Sequence, residues 1–363
     1  LSYKNNSAFY YFTKRKNLMI IKAPIKLIGN NGSPYTRKMV ALLRYKHIPY
    51  KIIWGEPDEY LDRNNIEKPK PVLHPTFLFE NSEKKITAVT DSTPIIRKLE
   101  SKFTSRSTIP SNPVLRFLNY LLEDYGDEWG TKFMFHYRWY DDKDIDNAGT
   151  LLPLYANSTL TNEELSYKKE KIAQRQLGRV WVVGSNKKTA PLIDQCFKKI
   201  ISILENHFIN FPFLLGSRPS SADFAFFGQL SQLVGFDPTP RSIIEKNSMR
   251  TMAWVGKTED LSGLEPDSED WISDSKLPET TKRIFCEVGK TYVPTMLKNE
   301  EAFNSGEEKW SAEILGREWE QRTFPYQVKC LKWIREEFRS LGDKHQTKVL
   351  NLLKDTDCER ILN

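Results

Sequence analysis

The chain has 363 residues, of which 39% are hydrophobic and 12% aromatic. This length is enough for two ordinary domains with large apolar cores, and the composition excludes a wholly disordered chain. No apolar run approaches the roughly 18 residues that a helix needs to cross a bilayer, so we predict no membrane span. The four cysteines lie far apart, which favours a reducing, cytoplasmic compartment and predicts neither a zinc site nor a disulfide scaffold.

The net charge of +7 is concentrated at the N-terminus. Residues 1–18 hold four basic side chains and no acidic one, and without them 50 Lys and Arg face 47 Asp and Glu, a balance of +3. The rest of the chain therefore gives no electrostatic sign of nucleic-acid binding. The stretch is either an organelle-targeting peptide or a tail ahead of Met19, and the scarcity of arginine favours the tail. We predict a leader or disordered tail over residues 1–23.

The segment after Met19 begins with a β–α–β pattern. Residues 25–28 form a short alternating run that predicts a strand, and a Gly-Asn-Asn-Gly loop follows it. Ser33 and Pro34 then open a helix, because serine is a good N-cap and proline suits the first helical position. A second strand is predicted at residues 50–54, so the two strands should pair in parallel through a helical crossover.

A hairpin and a further helix complete this first unit. Strands are predicted at residues 76–80 and 86–89, and Asp91-Ser92 caps the helix that follows. The order β–α–β and then β–β–α predicts a thioredoxin-like domain over residues 24–103. Beyond a polar linker the patterns are almost entirely helical, so residues 112–363 are predicted to form an all-helical domain with a long C-terminal extension. Helices are expected near 113–139, 163–182, 190–209, 222–234, 241–257, 279–302 and 318–341.

Four motifs occur in an order and spacing that resemble the glutathione S-transferase superfamily. They are Ser33-Pro34-Tyr35-Thr36-Arg37-Lys38, His74-Pro75-Thr76-Phe77, Asp91-Ser92-Thr93-Pro94-Ile95-Ile96 and Gly216-Ser217-Arg218-Pro219-Ser220-Ser221-Ala222-Asp223-Phe224. The resemblance covers about residues 24–236 and looks like a serine-type, extended bacterial-like member. It implies a glutathione-binding thioredoxin-like domain followed by the helical domain of such transferases.

Ser33 is the predicted catalytic residue. It lies where a strand turns into a helix, and the free N–H groups and positive dipole end there favour an anion. A hydroxyl at this point could donate a hydrogen bond to a thiolate and lower the pKa of the thiol, which is the role that the resemblance implies for glutathione. The structural alternative is a plain N-cap, and the two roles can coexist. Tyr35 is either a rival donor or part of the substrate site.

The resemblance implies that a proline precedes the third strand with a cis peptide bond. Pro75 is the better candidate, because the strand begins directly after it, and Pro71 is a rival. The backbone of His74 would then pair with the cysteinyl part of glutathione, although an apolar residue is more usual there. Lys70, or alternatively Lys68, would meet the glycyl carboxylate.

Asp91 and Ser92 are predicted to bind the γ-glutamyl group. Ser92 at a helix start offers a hydroxyl and nearby N–H groups to a carboxylate, and Asp91 offers a negative charge to an ammonium. A γ-glutamyl group carries both charges. The alternative is that the pair only caps the helix.

An aromatic stripe in the first helix of the second domain supplies a candidate substrate wall. Trp129, Phe133 and Tyr137 recur every four residues, and such a stripe is either core or pocket. The resemblance implies that this helix borders the site of the electrophilic substrate, so we predict that the stripe lines it. Glu128 and Lys132 nearby are interpreted as an ordinary helix salt pair rather than a metal site.

The segment near residues 318–341 combines many large apolar groups, which are unlikely to remain in water. Pro325 would interrupt or begin a helix there, and Val328, Leu331, Ile334 and Phe338 follow at helical spacing. We predict that this helix folds back onto the helical domain as part of its core. The alternative is a dimer or partner interface.

The function that follows from the resemblance is a cytoplasmic glutathione transferase, which uses glutathione as co-substrate and needs no metal. It would present the thiolate to an apolar small-molecule electrophile between the two domains, and a homodimer is expected. A thiol–disulfide oxidoreductase is disfavoured, because it needs a cysteine where Ser33 stands. A non-catalytic glutathione-binding or protein-interaction member of the same fold is the other alternative.

Overall fold

The computed structural model describes residues 19–267 and 270–362. Residues 1–18, most of the predicted leader, lie outside the described residues. Met19–Ile20 form strand β1, which pairs antiparallel with Asn81 and Glu80 of a later strand. The predicted leader boundary at residue 23 is therefore wrong, because residues 19 and 20 already belong to the sheet.

The first domain is the predicted thioredoxin-like unit. Its central strands lie in the order β3–β2–β4–β5, with β2 and β3 parallel and β4 antiparallel to both β2 and β5. Its elements are β2 (Ile25–Gly29), α1 (Pro34–Tyr45), β3 (Tyr50–Trp54), α2 (Pro57–Arg63), β4 (Thr76–Asn81), β5 (Ile86–Val89) and α3 (Ser92–Lys102).

The second region is helical and packs on the first through α9 (Ser221–Gly235), which contacts both α1 and α4 (Pro113–Glu128). A Cβ atom on Gly228 of α9 would lie 2.5 Å from the carbonyl oxygen of Pro34, so the absent side chain lets α9 approach the start of α1. Its helices are α4 (Pro113–Glu128), α5 (Gly130–Arg138), α6 (Asp142–Ala156), α7 (Asn162–Leu177), α8 (Ala190–His207), α9 (Ser221–Gly235), α10 (Pro238–Asn247), α11 (Met249–Thr258), α12 (Glu279–Glu287) and α13 (Val293–Asn304). The predicted fold class is confirmed.

The C-terminal extension differs from its prediction in one respect. Residues predicted to begin a helix at 318 lie in a hairpin of β6 (Lys309–Ile314) and β7 (Arg317–Arg322). Pro325 was predicted either to interrupt or to begin a helix, and it begins helix α14 (Pro325–Arg339). Helix α15 (Asp343–Leu353) follows. The helix predicted from residue 318 is wrong because the chain alternates there between buried and exposed side chains.

The extension is part of the main core, as predicted. Trp319 is fully buried with its ring centroid 5.4 Å from that of Trp129, and Phe338 packs against Phe117 at 5.5 Å. Within the described part of the chain, no helix is long and apolar enough to cross a membrane.

Candidate functional site

The strand register brings three of the predicted motifs to one edge of the first domain. Ile28 near the end of β2 lies opposite Thr76 at the start of β4, and Phe77 lies opposite Val89 at the end of β5. The loop to Ser33, the segment before Thr76 and the Asp91-Ser92 pair therefore leave the sheet at the same edge. Helices α1 and α3 both begin there.

Ser33 caps α1. Its backbone is extended, with φ −95° and ψ 120°, and its Oγ accepts a hydrogen bond of 3.2 Å from the backbone N–H of Thr36. Pro34 occupies the first helical turn, as expected from the sequence. The Ser33 hydroxyl uses its oxygen as a cap, which leaves its proton free to donate to another acceptor. The side chain is half-buried.

The loop ahead of Ser33 is fixed by the helical region. The Nη1 atom of Arg138 donates to the carbonyl of Gly32 at 2.6 Å, and Arg138 forms a buried ion pair with Asp237 at 2.9 Å. Burial raises the pKa of Asp237 to about 6, although Arg138 opposes the shift. Asn30 accepts a 2.8 Å hydrogen bond from the N–H of Gly32 and donates at 3.2 Å to the carbonyl of Leu152 in α6. The start of α1 is therefore held from two directions.

The segment before β4 has the predicted backbone. The His74–Pro75 peptide bond is cis, and so is the Lys70–Pro71 bond, so both candidate prolines share that geometry. The imidazole Nε2 of His74 lies 3.5 Å from Glu56 Oε2. Burial lowers the pKa of His74 to about 4, with a further contribution from the charge of Arg175, so its imidazole is neutral at pH 7.

Lys68 and Lys70, the two candidates for binding a glycyl carboxylate, differ in whether their charge is already paired. Lys68 is bound by Asp58 at 3.2 Å and Asp62 at 2.8 Å, so its charge is already compensated. The side chain of Lys70 is exposed. Lys70 is therefore the better of the two.

Asp91 and Ser92 form the start of α3. Asp91 has a φ of +82°, which aspartate adopts more readily than most residues, and makes no capping hydrogen bond with its side chain. Its Oδ2 instead accepts from the Tyr326 hydroxyl at 3.2 Å and lies 3.8 Å from Lys329 Nζ. Burial raises the pKa of Asp91, and the charge of Lys329 opposes that shift.

A buried ionic network joins this helix start to the second region. Lys38 of α1 is fully buried, and its ammonium donates to Ser92 Oγ at 3.3 Å, Glu123 at 3.0 Å and Asp127 at 2.6 Å. Arg97 binds Glu123 at 2.7 Å. Burial would raise the pKa of Glu123, but the two cations hold it at about 2, whereas burial raises that of Asp127 to about 6.

Sequence reasoning missed this network, although a signal for it exists. Lys38 is three residues after Tyr35 and so lies on the face of α1 that Met39 and Leu43 bury. Glu123 and Asp127 are four residues apart and share one face of α4. A lysine on a buried helix face needs a buried carboxylate to compensate its charge, and Glu123 and Asp127 supply it.

Tyr35 lies at the domain interface. Its hydroxyl donates to the backbone carbonyl of Asp127 at 3.0 Å, near the end of α4. Burial, and then the nearby charge of Glu128, raise the pKa of Tyr35 well above its usual range. Its proton is therefore already used by a carbonyl group, which favours Ser33 over Tyr35 as a hydrogen-bond donor to a ligand.

The aromatic stripe is core and not a site wall. Trp129, Phe133 and Tyr137 are 0%, 3% and 5% exposed, because Phe197 of α8 and Trp319 of β7 cover them. The prediction that they line an open substrate site is wrong for this reason.

Glu128 and Lys132, predicted to form an ordinary helix salt pair, are both buried and form no ion pair with each other within the described residues. Lys132 donates instead to Gln321 Oε1 at 3.0 Å and lies over the rings of Trp129 and Trp319. Burial lowers the pKa of Lys132 to about 7. Across residues 19–267 and 270–362, no group of three or more His, Cys, Asp or Glu side chains is arranged to hold a metal ion.

The comparison with protein families agrees with this geometry. Residues 27–107 match the family described as glutathione S-transferase, N-terminal domain. The predicted resemblance to the glutathione S-transferase superfamily is thereby confirmed over the first domain, the part that holds Ser33, Pro75, Asp91 and Ser92. No curated protein matches the chain.

Similar solved structures include several glutathione transferases. One is a family member from Pseudomonas fluorescens with two glutathione bound, at 15% identity over 64% of this chain and 87% of that chain, with a TM-score of 0.41. A Tau class enzyme from mango is 18% identical over 69% of this chain and 96% of that chain, with a TM-score of 0.38. A transferase from Streptococcus pneumoniae, complexed with glutathione, is 17% identical over 70% of this chain and 88% of that chain, with a TM-score of 0.37.

Proposed function

We propose that the chain is a serine-type glutathione transferase that joins the glutathione thiolate to an apolar electrophile. The observation that carries the proposal is the strand register, which places Ser33, Pro75 and Asp91-Ser92 at one edge of a domain that matches the glutathione S-transferase family. These segments offer a hydroxyl at a helix start, a cis-proline backbone just ahead of a strand and a pair of polar groups, which suit the three parts of a tripeptide thiol.

Glutathione would lie along that edge with its γ-glutamyl end at α3. Asp91 would take the ammonium and Ser92 the carboxylate, while the backbone of His74 would pair with the cysteinyl unit. The exposed ammonium of Lys70 would meet the glycyl carboxylate. The sulfur would then lie at the start of α1, where the Ser33 hydroxyl and the helix dipole favour its ionised form.

The reaction would be a nucleophilic substitution or addition in which the glutathione thiol loses its proton and its sulfur attacks a carbon atom of the electrophile. The thiol proton goes to solvent and the thiolate electron pair forms a C–S bond. In a substitution the leaving group departs with its bonding pair, whereas in an addition the C–S bond displaces a π-electron pair that then takes up a proton from solvent. The electrophile needs an apolar surface near the sulfur. Trp54 and Leu73, which are 44% and 42% exposed and flank the same edge, would supply one in place of the buried aromatic stripe.

Two measurements on the full chain test the proposal. Calorimetric titration with glutathione should give saturable binding, and a generic aryl halide should then be consumed at a rate that depends on both substrates. Binding without turnover would support the non-catalytic alternative, a glutathione-binding or interaction protein. Absence of binding would reject both.

Ser33→Ala should keep most of the glutathione affinity but lose turnover. The lost hydrogen bond to a charged sulfur is worth about 1.5–3 kcal/mol, so the rate should fall roughly 10- to 100-fold. The pKa of the bound thiol should rise toward its ordinary value, which shifts the pH–rate profile upward.

A matched control separates this role from simple helix capping. Thr161 also caps a helix, α7, through a capping box with Glu164, and it is exposed. Thr161→Ala should cost a similar amount of stability, about 1 kcal/mol, and leave the thiol titration unchanged. An unaltered pH–rate profile in Ser33→Ala would reject the assignment and point to Tyr35.

The resemblance extends the proposal to the assembly and compartment of the protein. We propose a homodimer in the cytoplasm, acting on a small-molecule substrate without a metal. Light scattering of the purified full chain measures the mass of the assembly directly.

A further inference from the structure

The C-terminal extension reaches the candidate site through the first turn of α14. The Tyr326 hydroxyl donates to Asp91 Oδ2 at 3.2 Å, and Lys329 Nζ lies 3.8 Å from the same oxygen. Tyr326 is 235 residues from Asp91 along the chain. The surroundings of Asp91 are therefore built by two distant parts of the sequence.

Aromatic rings position the ammonium of Lys329, but its N–H groups make no hydrogen bond to the described part of the protein. Its ammonium lies 4.2 Å from the ring centroid of Trp333 and 5.4 Å from that of Tyr326, so aromatic faces support it. At 3.8 Å from Asp91 it is beyond hydrogen-bonding distance, and its side chain is 41% exposed. Among the described residues, no protein atom accepts a hydrogen bond from it, so its three N–H donors are available to a ligand oxygen.

Lys38, the other ammonium beside this helix start, cannot serve in the same way. It already donates to Glu123, Asp127 and Ser92, and the two carboxylates compensate its charge. Ser92 accepts from Lys38 and so retains its own proton for a ligand. A ligand that approaches the start of α3 therefore meets the Asp91 carboxylate, the Lys329 ammonium and the Ser92 hydroxyl.

We infer that Lys329 binds the α-carboxylate of the γ-glutamyl group, while Tyr326 orients Asp91 toward the α-ammonium. This inference rests on the proposed function and adds the extension to the glutathione site. An α-amino acid carries opposite charges on one carbon, so it needs opposite charges side by side, and Asp91 with Lys329 is such a pair. The extension is thus a specificity element and not only a covering for the helical core.

Two ligands test this assignment on the full chain. One is glutathione, and the other is γ-aminobutyryl-cysteinyl-glycine, which lacks only the α-carboxylate. Lys329→Met keeps the aliphatic stem against Trp333 and removes the charge. It should weaken glutathione binding about ten-fold and leave the affinity for the analogue as in the unchanged protein.

Lys332→Met is the matched control, because Lys332 lies on the same helix, is exposed and pairs with Glu336 at 3.7 Å. It should bind both ligands as the unchanged protein does. Tyr326→Phe removes one hydroxyl and should weaken both ligands a few-fold, since both carry the ammonium.

Tighter glutathione binding by Lys329→Met would overturn the inference and show that Lys329 blocks the site. If Lys329→Met bound glutathione as tightly as the unchanged protein does, the inference would be overturned as well, because the charge of Lys329 would then have no role in binding. If the unchanged protein binds neither ligand, the proposed function itself fails. That result is distinct from a glutathione-binding protein that is indifferent to Lys329.

Discussion

At the scale of single residues, the site depends on buried charges that compensate one another. Lys38 and Arg97 face Glu123 and Asp127 with side chains that are mostly removed from water. Breaking one member of such a set leaves an uncompensated buried charge, which typically costs 3–5 kcal/mol, whereas the intact set adds little net stability. Its contribution is to fix α1, α3 and α4 relative to one another beneath Asp91 and Ser92.

Asp124 is a buried carboxyl group that makes stability depend on pH. Burial raises its pKa to about 7, although the Tyr292 hydroxyl donates to it. Between pH 4 and pH 7 the folded state binds a proton that the unfolded chain has lost. This contribution to the free energy of unfolding is therefore full below pH 4 and is lost as the pH rises through 7.

Asp124→Asn keeps an acceptor for Tyr292 and cannot ionise. The free energy of unfolding of the variant minus that of the unchanged protein should rise by on the order of 2–4 kcal/mol between pH 4 and pH 7 and stay constant above pH 7. Urea unfolding at several pH values measures this. Glu313→Gln changes an exposed carboxylate of β6 and is the control. A pH dependence of Asp124→Asn that runs parallel to that of the unchanged protein would contradict the expectation.

The candidate residues whose positions could be predicted are those fixed by local structure. Ser33, Pro75 and the Asp91-Ser92 pair each follow from a strand that turns into a helix or from the segment just before a strand. Tyr326 and Lys329 could not be predicted, because only the tertiary fold brings α14 to Asp91. The burial of Trp129, Phe133 and Tyr137 could not be predicted either, because nothing in the local sequence reveals that β7 and α8 cover them.

At the scale of elements, the hairpin β6–β7 shows how local propensity misleads. Glu and Arg are abundant between residues 317 and 322 and favour a helix, yet Trp310, Ile314 and Trp319 alternate with exposed residues, as in a half-buried strand. The turn has two successive residues with positive φ, Leu315 and Gly316 at +49° and +75°. A two-residue turn of this kind matches the twist of antiparallel strands, and the Gly was its one sequence signal.

Helices α12 and α13 are continuous through a π-helical segment, Val288–Tyr292, against which the end of the chain packs. A Cβ atom on Gly289 would lie 1.8 Å from the carbonyl oxygen of Thr356 and 2.9 Å from the N–H nitrogen of Cys358. Gly289→Ala should therefore displace the last turn, Cys358–Leu362, and lower the free energy of unfolding by about 1–3 kcal/mol.

Gly256 in α11 provides the control for that substitution, because a Cβ atom there would have no neighbour within 4 Å. Gly256→Ala should be neutral or stabilise the protein by up to about 1 kcal/mol, since alanine favours a helix. Thermal unfolding of the two variants side by side measures the difference. Equal melting temperatures would mean that the end of the chain moves aside at no cost.

At the scale of the whole molecule, the extension joins stability to the candidate site. Trp319 fills the core beside Trp129, and Leu331 and Ile334 of α14 are fully buried. The same helix places Tyr326 and Lys329 on Asp91. Because one element does both, loss of the extension should affect folding and ligand binding together, whereas a change confined to its surface should affect binding alone.

Deletion of the chain from Glu318 onward tests this coupling. The truncated protein should melt at a lower temperature, expose apolar surface to a hydrophobic dye and lose glutathione affinity, with its oligomeric state unchanged. Leu331→Ala is a milder variant, because it removes one buried side chain and keeps the rest of the extension. It should cost about 2–5 kcal/mol of stability yet keep glutathione affinity at temperatures where it is folded. A truncated protein that melts normally but changes from dimer to monomer would show instead that the buried face of α14 serves an interface between subunits.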